Sequence, residues 1–158
     1  MLVLRDFREG DFDAIRAWAP TPDDVYLFAG SARLWPLDDA LLREWLHAER
    51  VTAWTAVDPD ARDTPVGHIE LVRTGEVTGR LARVLLDPTV RGKGYGRALV
   101  AAAVDAAVAS GTTTIDLNVI SGNVPAIATY RSLGFVALGP NPEHPDMTRM
   151  RLLAGVRS

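Results

Sequence analysis

An apolar strand that runs directly into three alternating glycines and then an alanine-rich helix restricts this chain more than any other feature. The stretch reads Arg80-Leu-Ala-Arg-Val-Leu-Leu-Asp-Pro-Thr-Val-Arg-Gly-Lys-Gly-Tyr-Gly-Arg97. Glycine at Gly92, Gly94 and Gly96 lets backbone amides approach an anion with no Cβ in the way. The helix that follows adds its dipole and its unsatisfied N–H groups. Arg91, Lys93 and Arg97 put three positive charges on a turn of a chain whose formal net charge is -3. The turn is therefore built for a polyanion, bound locally. Two common phosphate motifs do not fit. A P-loop needs Lys-Ser/Thr after its last glycine, and Gly96 is followed by Arg97-Ala98. A dinucleotide fingerprint would place its third glycine at position 97, which is arginine.

The pattern around this turn predicts an α/β layer arrangement. Strands are expected at Leu2–Phe7, Thr52–Val57, Val66–Arg73 and Arg80–Asp87, then at Thr113–Val119, Phe135–Leu138 and Met147–Leu153. A helix capped by the Asp11 side chain should run to Trp18, with Pro20 and Pro22 ending it. Tyr26 to Trp35 reads as irregular and aromatic. Asp38 or Asp39 opens a second helix in which Leu41, Leu42, Trp45 and Leu46 recur at helical spacing. Gly94–Ser110, ended by Gly111, is apolar nearly all round and is expected to be buried. Val124–Leu133 is a short helix closed by Gly134. The whole length, 1–158, reads as one domain, with no repeat and no second boundary.

Arg91-Gly92-Lys93-Gly94-Tyr95-Gly96 resembles the Arg/Gln-x-x-Gly-x-Gly/Ala signature of the GNAT superfamily of N-acetyltransferases. The resemblance continues through Asn118-Val-Ile-Ser-Gly-Asn123 and Ala126-Ile-Ala-Thr-Tyr130-Arg-Ser-Leu-Gly-Phe135. These look like the family's strand, asparagine loop and Tyr-x-x-Leu-Gly-Phe helix ending. The likeness is specific from Val66 to Leu138; before that, only the order of elements matches. It implies a GNAT-like mixed twisted sheet of six or seven strands with helices on both faces. It also implies acetyl transfer from acetyl-CoA to an amine, in a ternary complex.

The same resemblance assigns roles residue by residue. Arg91, Gly92, Lys93, Gly94, Tyr95, Gly96 and Arg97 would hold the pyrophosphate of coenzyme A. The strand at Val84, Leu85 and Leu86 would offer backbone groups to the pantetheine arm, with an N–H at Leu85 or Leu86 polarising the thioester carbonyl. Asn123 matches an asparagine that hydrogen-bonds the cofactor, and it is equally well placed as a helix N-cap. Tyr130 matches the tyrosine beside the thioester sulfur, where a phenol can protonate the departing thiolate. It also reads as a packed aromatic.

The general base is less defined. An alkylamine with pKa near 10 is only ~0.1% neutral at pH 7, so a group that accepts its proton is expected. In the related ribosomal-protein alanine acetyltransferases a glutamate stands where this chain has Asn118, and asparagine cannot take a proton. Asp116 and Glu70 remain, each also readable as an ordinary strand carboxylate; Glu70 is the one chosen. Tyr26, Phe28 and Trp35 lie where the family walls its acceptor site, or serve as core aromatics. The Gly139–Asp146 loop reads as a second cover of that site.

Composition removes several other chemistries. There is no cysteine, hence no disulfide, no thiolate metal site and no cysteine acyl-enzyme. His47, His68 and His144 lack ligand spacing, so no metal is expected. The acidic balance argues against nucleic acid as a partner. Charge close to the N-terminus and the absence of a long apolar run argue against a signal peptide and a membrane span, so a cytoplasmic monomer or homodimer is expected. Two other functions stay open: a coenzyme A-binding regulatory module without catalysis, favoured by Asn118 and opposed by Tyr130, and a nucleotide-binding module.

Overall fold

A computed structural model describes residues 2–154. Its strands are β1 (Val3–Asp6), β2 (Val51–Asp58), β3 (Thr64–Arg73), β4 (Thr78–Leu86), β5 (Thr114–Ile120), β6 (Val136–Pro140) and β7 (Met147–Leu153). They form a sheet in the order β1-β2-β3-β4-β5-β7-β6. The β4–β5 pairing is parallel and the others are antiparallel, which makes the sheet mixed. The helices are α1 (Phe12–Trp18), α2 (Pro22–Ala29), α3 (Asp39–Leu46), α4 (Tyr95–Ala109) and α5 (Val124–Ser132). α4 and α5 pack on one face through Leu99, Ala103, Ala107 and Tyr130, and α1 to α3 on the other through Ile15, Val25, Leu42 and Trp45. The expected fold class is what is found. Among the described residues no helix is long and apolar enough to cross a membrane.

Three local expectations need correction. Asp11 does not cap α1 with its side chain. Its carboxylate is buried and accepts from Arg5 at 2.8 and 2.9 Å, from the Thr55 hydroxyl at 2.7 Å and from the Arg8 amide at 3.1 Å. It ties the first strand, the first helix and β2 together. The segment from Tyr26 is not irregular but continues α2, because Thr21-Pro22-Asp23-Asp24 starts a helix as well as ending one. Thr21 accepts from the Asp24 amide and Asp24 accepts from the Thr21 amide, a reciprocal cap with proline in the first turn. Irregular chain begins only at Gly30, whose φ of 83° stops the helix. The third correction concerns α4, which is buried along one stripe, Leu99-Val100-Ala103-Val104-Ala107, and leaves Asp105 and Ala109 in solvent. Alanine is small enough to be carried on the outer side without exposing much apolar surface.

Two irregularities shape the middle of the sheet. β4 carries one more residue than β3 between paired positions: His68 faces Leu85 while Glu70 faces Ala82. The extra residue is a bulge at Arg83, whose φ is 47°. Left-handed backbone at a non-glycine residue costs about 1 kcal/mol or more, so the surroundings must hold it. Just before this bulge β4 and β5 separate. Their ladder ends at Leu81 opposite Leu117, although both strands run on.

Candidate active site

β4 leads through a single turn, Pro88–Val90, into the glycine segment at the head of α4. Gly92 and Gly94 have φ of 77° and 83°, and a Cβ on either would meet nothing within 4 Å. The turn thus presents bare backbone to open space. The first helical hydrogen bond runs from the Ala98 amide to the Gly94 carbonyl at 3.2 Å. Among the described residues, no partner accepts from the amides of residues 92–97. Those amides, at the positive end of a 15-residue helix, suit a phosphate oxygen.

Side chains around the turn divide into two groups. Arg91 donates from Nη2 to the Leu86 carbonyl at 3.1 Å, which folds the turn back on the end of β4. Arg97 reaches the Ser132 hydroxyl at 3.3 Å on α5. Lys93 is exposed and has no ion pair among the described residues. Tyr95 points elsewhere: its hydroxyl donates to Asp58 at 2.8 Å, holding the start of α4 to the end of β2. A Cβ at Gly96 would stand 3.4 Å from the Leu86 side chain, so glycine there lets the helix lie close on the strand. Val84 and Leu86 pack against the α4–α5 side and Leu85 against the α1–α3 side, as strand alternation predicts.

Asn123 sits at the N-cap of α5, and its Oδ1 accepts from the Ala126 amide at 3.4 Å. Seven residues on, Tyr130 is buried within the first core, edge-on to Phe135 with ring centroids 5.9 Å apart. Among the described residues nothing hydrogen-bonds its hydroxyl, and burial alone shifts it. Burial pushes the phenol up to about 12, so it carries its proton throughout the physiological range.

Glu70 is fully buried and both its oxygens are engaged. Oε2 lies 2.7 Å from His68 Nε2, and Oε1 accepts from Arg83 Nη1 at 2.8 Å. The Arg83 guanidinium lies over the Trp45 ring, 4.2 Å from its centroid. A carboxylate so occupied is a counter-ion held in place, since a buried charge persists only when paired. Asp116 is likewise taken, by Arg151 at 2.7 and 3.0 Å.

Where β4 and β5 part, a cleft of about 630 Å³ opens between the end of α2 and the β6–β7 loop. Arg80 and Arg83 line it from β4, Asn118 from β5, and Glu143 and His144 from the loop. Asn141 donates from Nδ2 to Asn118 Oδ1 at 3.0 Å and so ties the loop to β5. Tyr26 on α2 donates to Asp146 and holds the loop's far end. Of the three aromatics that could wall this space, Phe28 lines it; Tyr26 is a strut, and Trp35 is exposed, with its indole on the Pro20 carbonyl. Sequence reasoning missed Arg80 and Arg83; the loop that carries Glu143 and His144 was read as a cover of this site. A cation at Arg83, inside the apolar run from Leu81 to Leu86, was the available signal.

A mixed sheet split between two parallel strands, with a bare-amide turn beside the split, defines a GNAT-type acyltransferase fold. A family model described as the acetyltransferase (GNAT) family matches residues 12–135, and the chain belongs to that family. Among the described residues no group of His, Cys, Asp or Glu could hold a metal ion.

The chain is 33% identical over 137 residues to the peptidyl-lysine N-acetyltransferase YjaB of Salmonella typhimurium, covering 87% of this chain and 84% of that one. It is 28% identical over 139 residues to the mycothiol acetyltransferase of Corynebacterium jeikeium, covering 75% of this chain but only 40% of that protein. The chain thus spans less than half the length of several curated relatives it matches. In fold it resembles the spermidine N-acetyltransferase of Vibrio cholerae, solved with CoA and spermine, with a TM-score of 0.75 at 22% identity over 97% of this chain and 95% of that one.

Proposed function

We propose that this chain transfers an acetyl group from acetyl-CoA to a primary amine by direct attack, with both substrates bound together. The observation that carries this reading is the run of unpartnered amides at residues 92–97, placed at the end of the strand that splits from its neighbour. In this reading the glycine turn, with Lys93 and Arg97 beside it, holds the pyrophosphate. The free edge of β4 past Leu81 takes the pantetheine arm. The amine enters from the opposite side, through the cleft between α2 and the β6–β7 loop. Its nitrogen, attacking as the neutral amine, bonds to the thioester carbon; the carbon–sulfur bond breaks with its electron pair leaving on sulfur, the proton of the new amide nitrogen passes to water in the open cleft, and the Tyr130 hydroxyl hydrogen-bonds the departing thiolate. Because the phenol is held near 12, above an ordinary thiol, Tyr130 serves by hydrogen-bonding the developing thiolate more than by surrendering its proton outright.

The test is turnover. The protein is mixed with acetyl-CoA and a panel of small amines and lysine peptides, and free thiol is followed. Amine-dependent thiol release with an acetylated product is expected. Intact mass after incubation with acetyl-CoA alone should show no acetyl adduct that an amine then removes; such an adduct would replace direct attack with a two-step route. Binding of coenzyme A without turnover of any amine would favour a regulatory module.

A further inference from the structure

We propose that Arg83 and Arg80 form an anion anchor in the acceptor cleft, and that the acceptor is a small molecule carrying a carboxylate beside its primary amine. The inference rests on the transferase reading above and deepens it. Arg83 is fixed from two sides: Glu70 binds one terminal nitrogen at 2.8 Å, and Trp45 supports the guanidinium plane at 4.2 Å. Among the described residues Arg83 makes no other side-chain hydrogen bond, and its side chain is 28% exposed where it lines the cleft. The remaining N–H groups of a rigid, planar fork are what a carboxylate meets best.

Arg80 lines the same cleft and has no ion pair among the described residues. Against these two arginines the lining offers one carboxylate, Glu143. Glu70 offsets Arg83 from behind, so what faces the cleft is Arg80 and the unpaired N–H groups of Arg83. A polycationic acceptor would meet Arg80 and the free N–H groups of Arg83 at the cleft surface, where the one exposed carboxylate is Glu143 and Glu70 is already spent on Arg83. An amino-carboxylate brings its own counter-ion. Glu70, behind Arg83 and itself backed by His68, is then a positioning residue that keeps the fork aimed. This also accounts for a bulge at Arg83: the extra residue turns a side chain of the central sheet toward the cleft.

The experiment compares amino acids with their decarboxylated counterparts: phenylalanine with phenethylamine, lysine with cadaverine, and spermidine as a polycation. Each is assayed by thiol release from acetyl-CoA, alongside acetyl-CoA affinity by calorimetry. The carboxylate member of each pair is expected to have a kcat/KM higher by about 10- to 100-fold, the worth of a charge-assisted hydrogen bond, and spermidine to be the poorest acceptor. Arg80→Gln, which breaks no internal pair, should raise KM for the amino acid and leave KM for the amine within about threefold. Arg83→Gln strands Glu70, so the double change Glu70→Gln with Arg83→Gln is made beside it, and folding is checked by circular dichroism. The folded double variant should lose the preference for a carboxylate. Amines acetylated as well as the acids, or spermidine preferred, would overturn the anchor and leave the transferase intact. Bound acetyl-CoA with no acceptor turned over would overturn the anchor and favour the regulatory module over the transferase. Failure to bind acetyl-CoA would instead overturn the transferase reading.

Discussion

Tyr130 holds its proton because its surroundings are apolar, and the same burial limits what it can do for catalysis. In the proposed reaction a phenol near 12 would protonate a thiolate only uphill, so its benefit there would be a hydrogen bond that strengthens as charge grows on sulfur. Tyr130→Phe is therefore expected to lower kcat and kcat/KM together by about 10- to 100-fold, with acetyl-CoA affinity nearly unchanged, as steady-state kinetics and calorimetry would show. A merely packed tyrosine would move the rate by less than about threefold. Residue-level roles were legible to different depths. Tyr130 could be singled out as a site candidate because its neighbours form a contiguous motif, and the structure shows it buried beside Phe135. The partners of Glu70 could not: Arg83 lies 13 residues away, and only the extra residue in β4 brings the two side chains together. A strand pattern read at strict period two has no way to signal a bulge.

At the scale of elements, the glycine turn depends on backbone conformation more than on any side chain. Gly94 sits at the N-cap of α4 with φ of 83°, a region a β-branched residue resists. Gly94→Val should leave a folded protein, since its Cβ meets no atom within 4 Å. It should weaken acetyl-CoA binding by about tenfold or more, through loss of the turn's geometry and blocked approach to its amides. Unchanged affinity in calorimetry on the folded variant would remove the turn from the cofactor site. Helix α2 and the β6–β7 loop make a second pair of elements, joined through Tyr26 and Asp146. Tyr26→Phe should free the loop and raise acceptor KM several-fold, with acetyl-CoA affinity unaffected; steady-state titrations of each substrate separate the two. The turn before α4 was legible because three glycines have one common use beside a helix. α2 was not, because its aromatic content masked the capping sequence at Thr21-Pro22-Asp23-Asp24, and proline was read as a stop when in the first turn it is a start.

The whole molecule is two apolar clusters sharing one sheet, and a buried ionisable group on each side couples stability to pH. On the acid side stands Asp11. Burial opposes its charge, but hydrogen bonds from Arg5, Thr55 and the Arg8 amide outweigh that and hold it below 3.8. A carboxylate with a lowered folded pKa stabilises fully above its unfolded value, and that share is lost as pH falls through the folded one. Asp11 therefore contributes to unfolding only below about pH 4. On the alkaline side stands Tyr130, whose unfolded phenol titrates at 10.0 and whose folded one titrates at about 12. Between these values the unfolded chain has released a proton that the folded chain keeps, so stability falls as pH rises through this window. The loss from this group is about 1.4 kcal/mol at pH 11 and approaches about 3 kcal/mol above pH 12. Tyr26 and Tyr95 are also raised, by hydrogen bonds to Asp146 and Asp58, and add to the same slope. Tyr130→Phe isolates the buried group. At pH 8 the variant should be as stable as the parent to within about 1 kcal/mol, because the lost hydroxyl has no partner in the fold. At pH 11 urea unfolding should show the variant gaining on the parent by about 1.4 kcal/mol. Parallel loss in both proteins would mean that solvent or a counter-charge reaches the phenol, and that the core around α5 is more open than its packing implies.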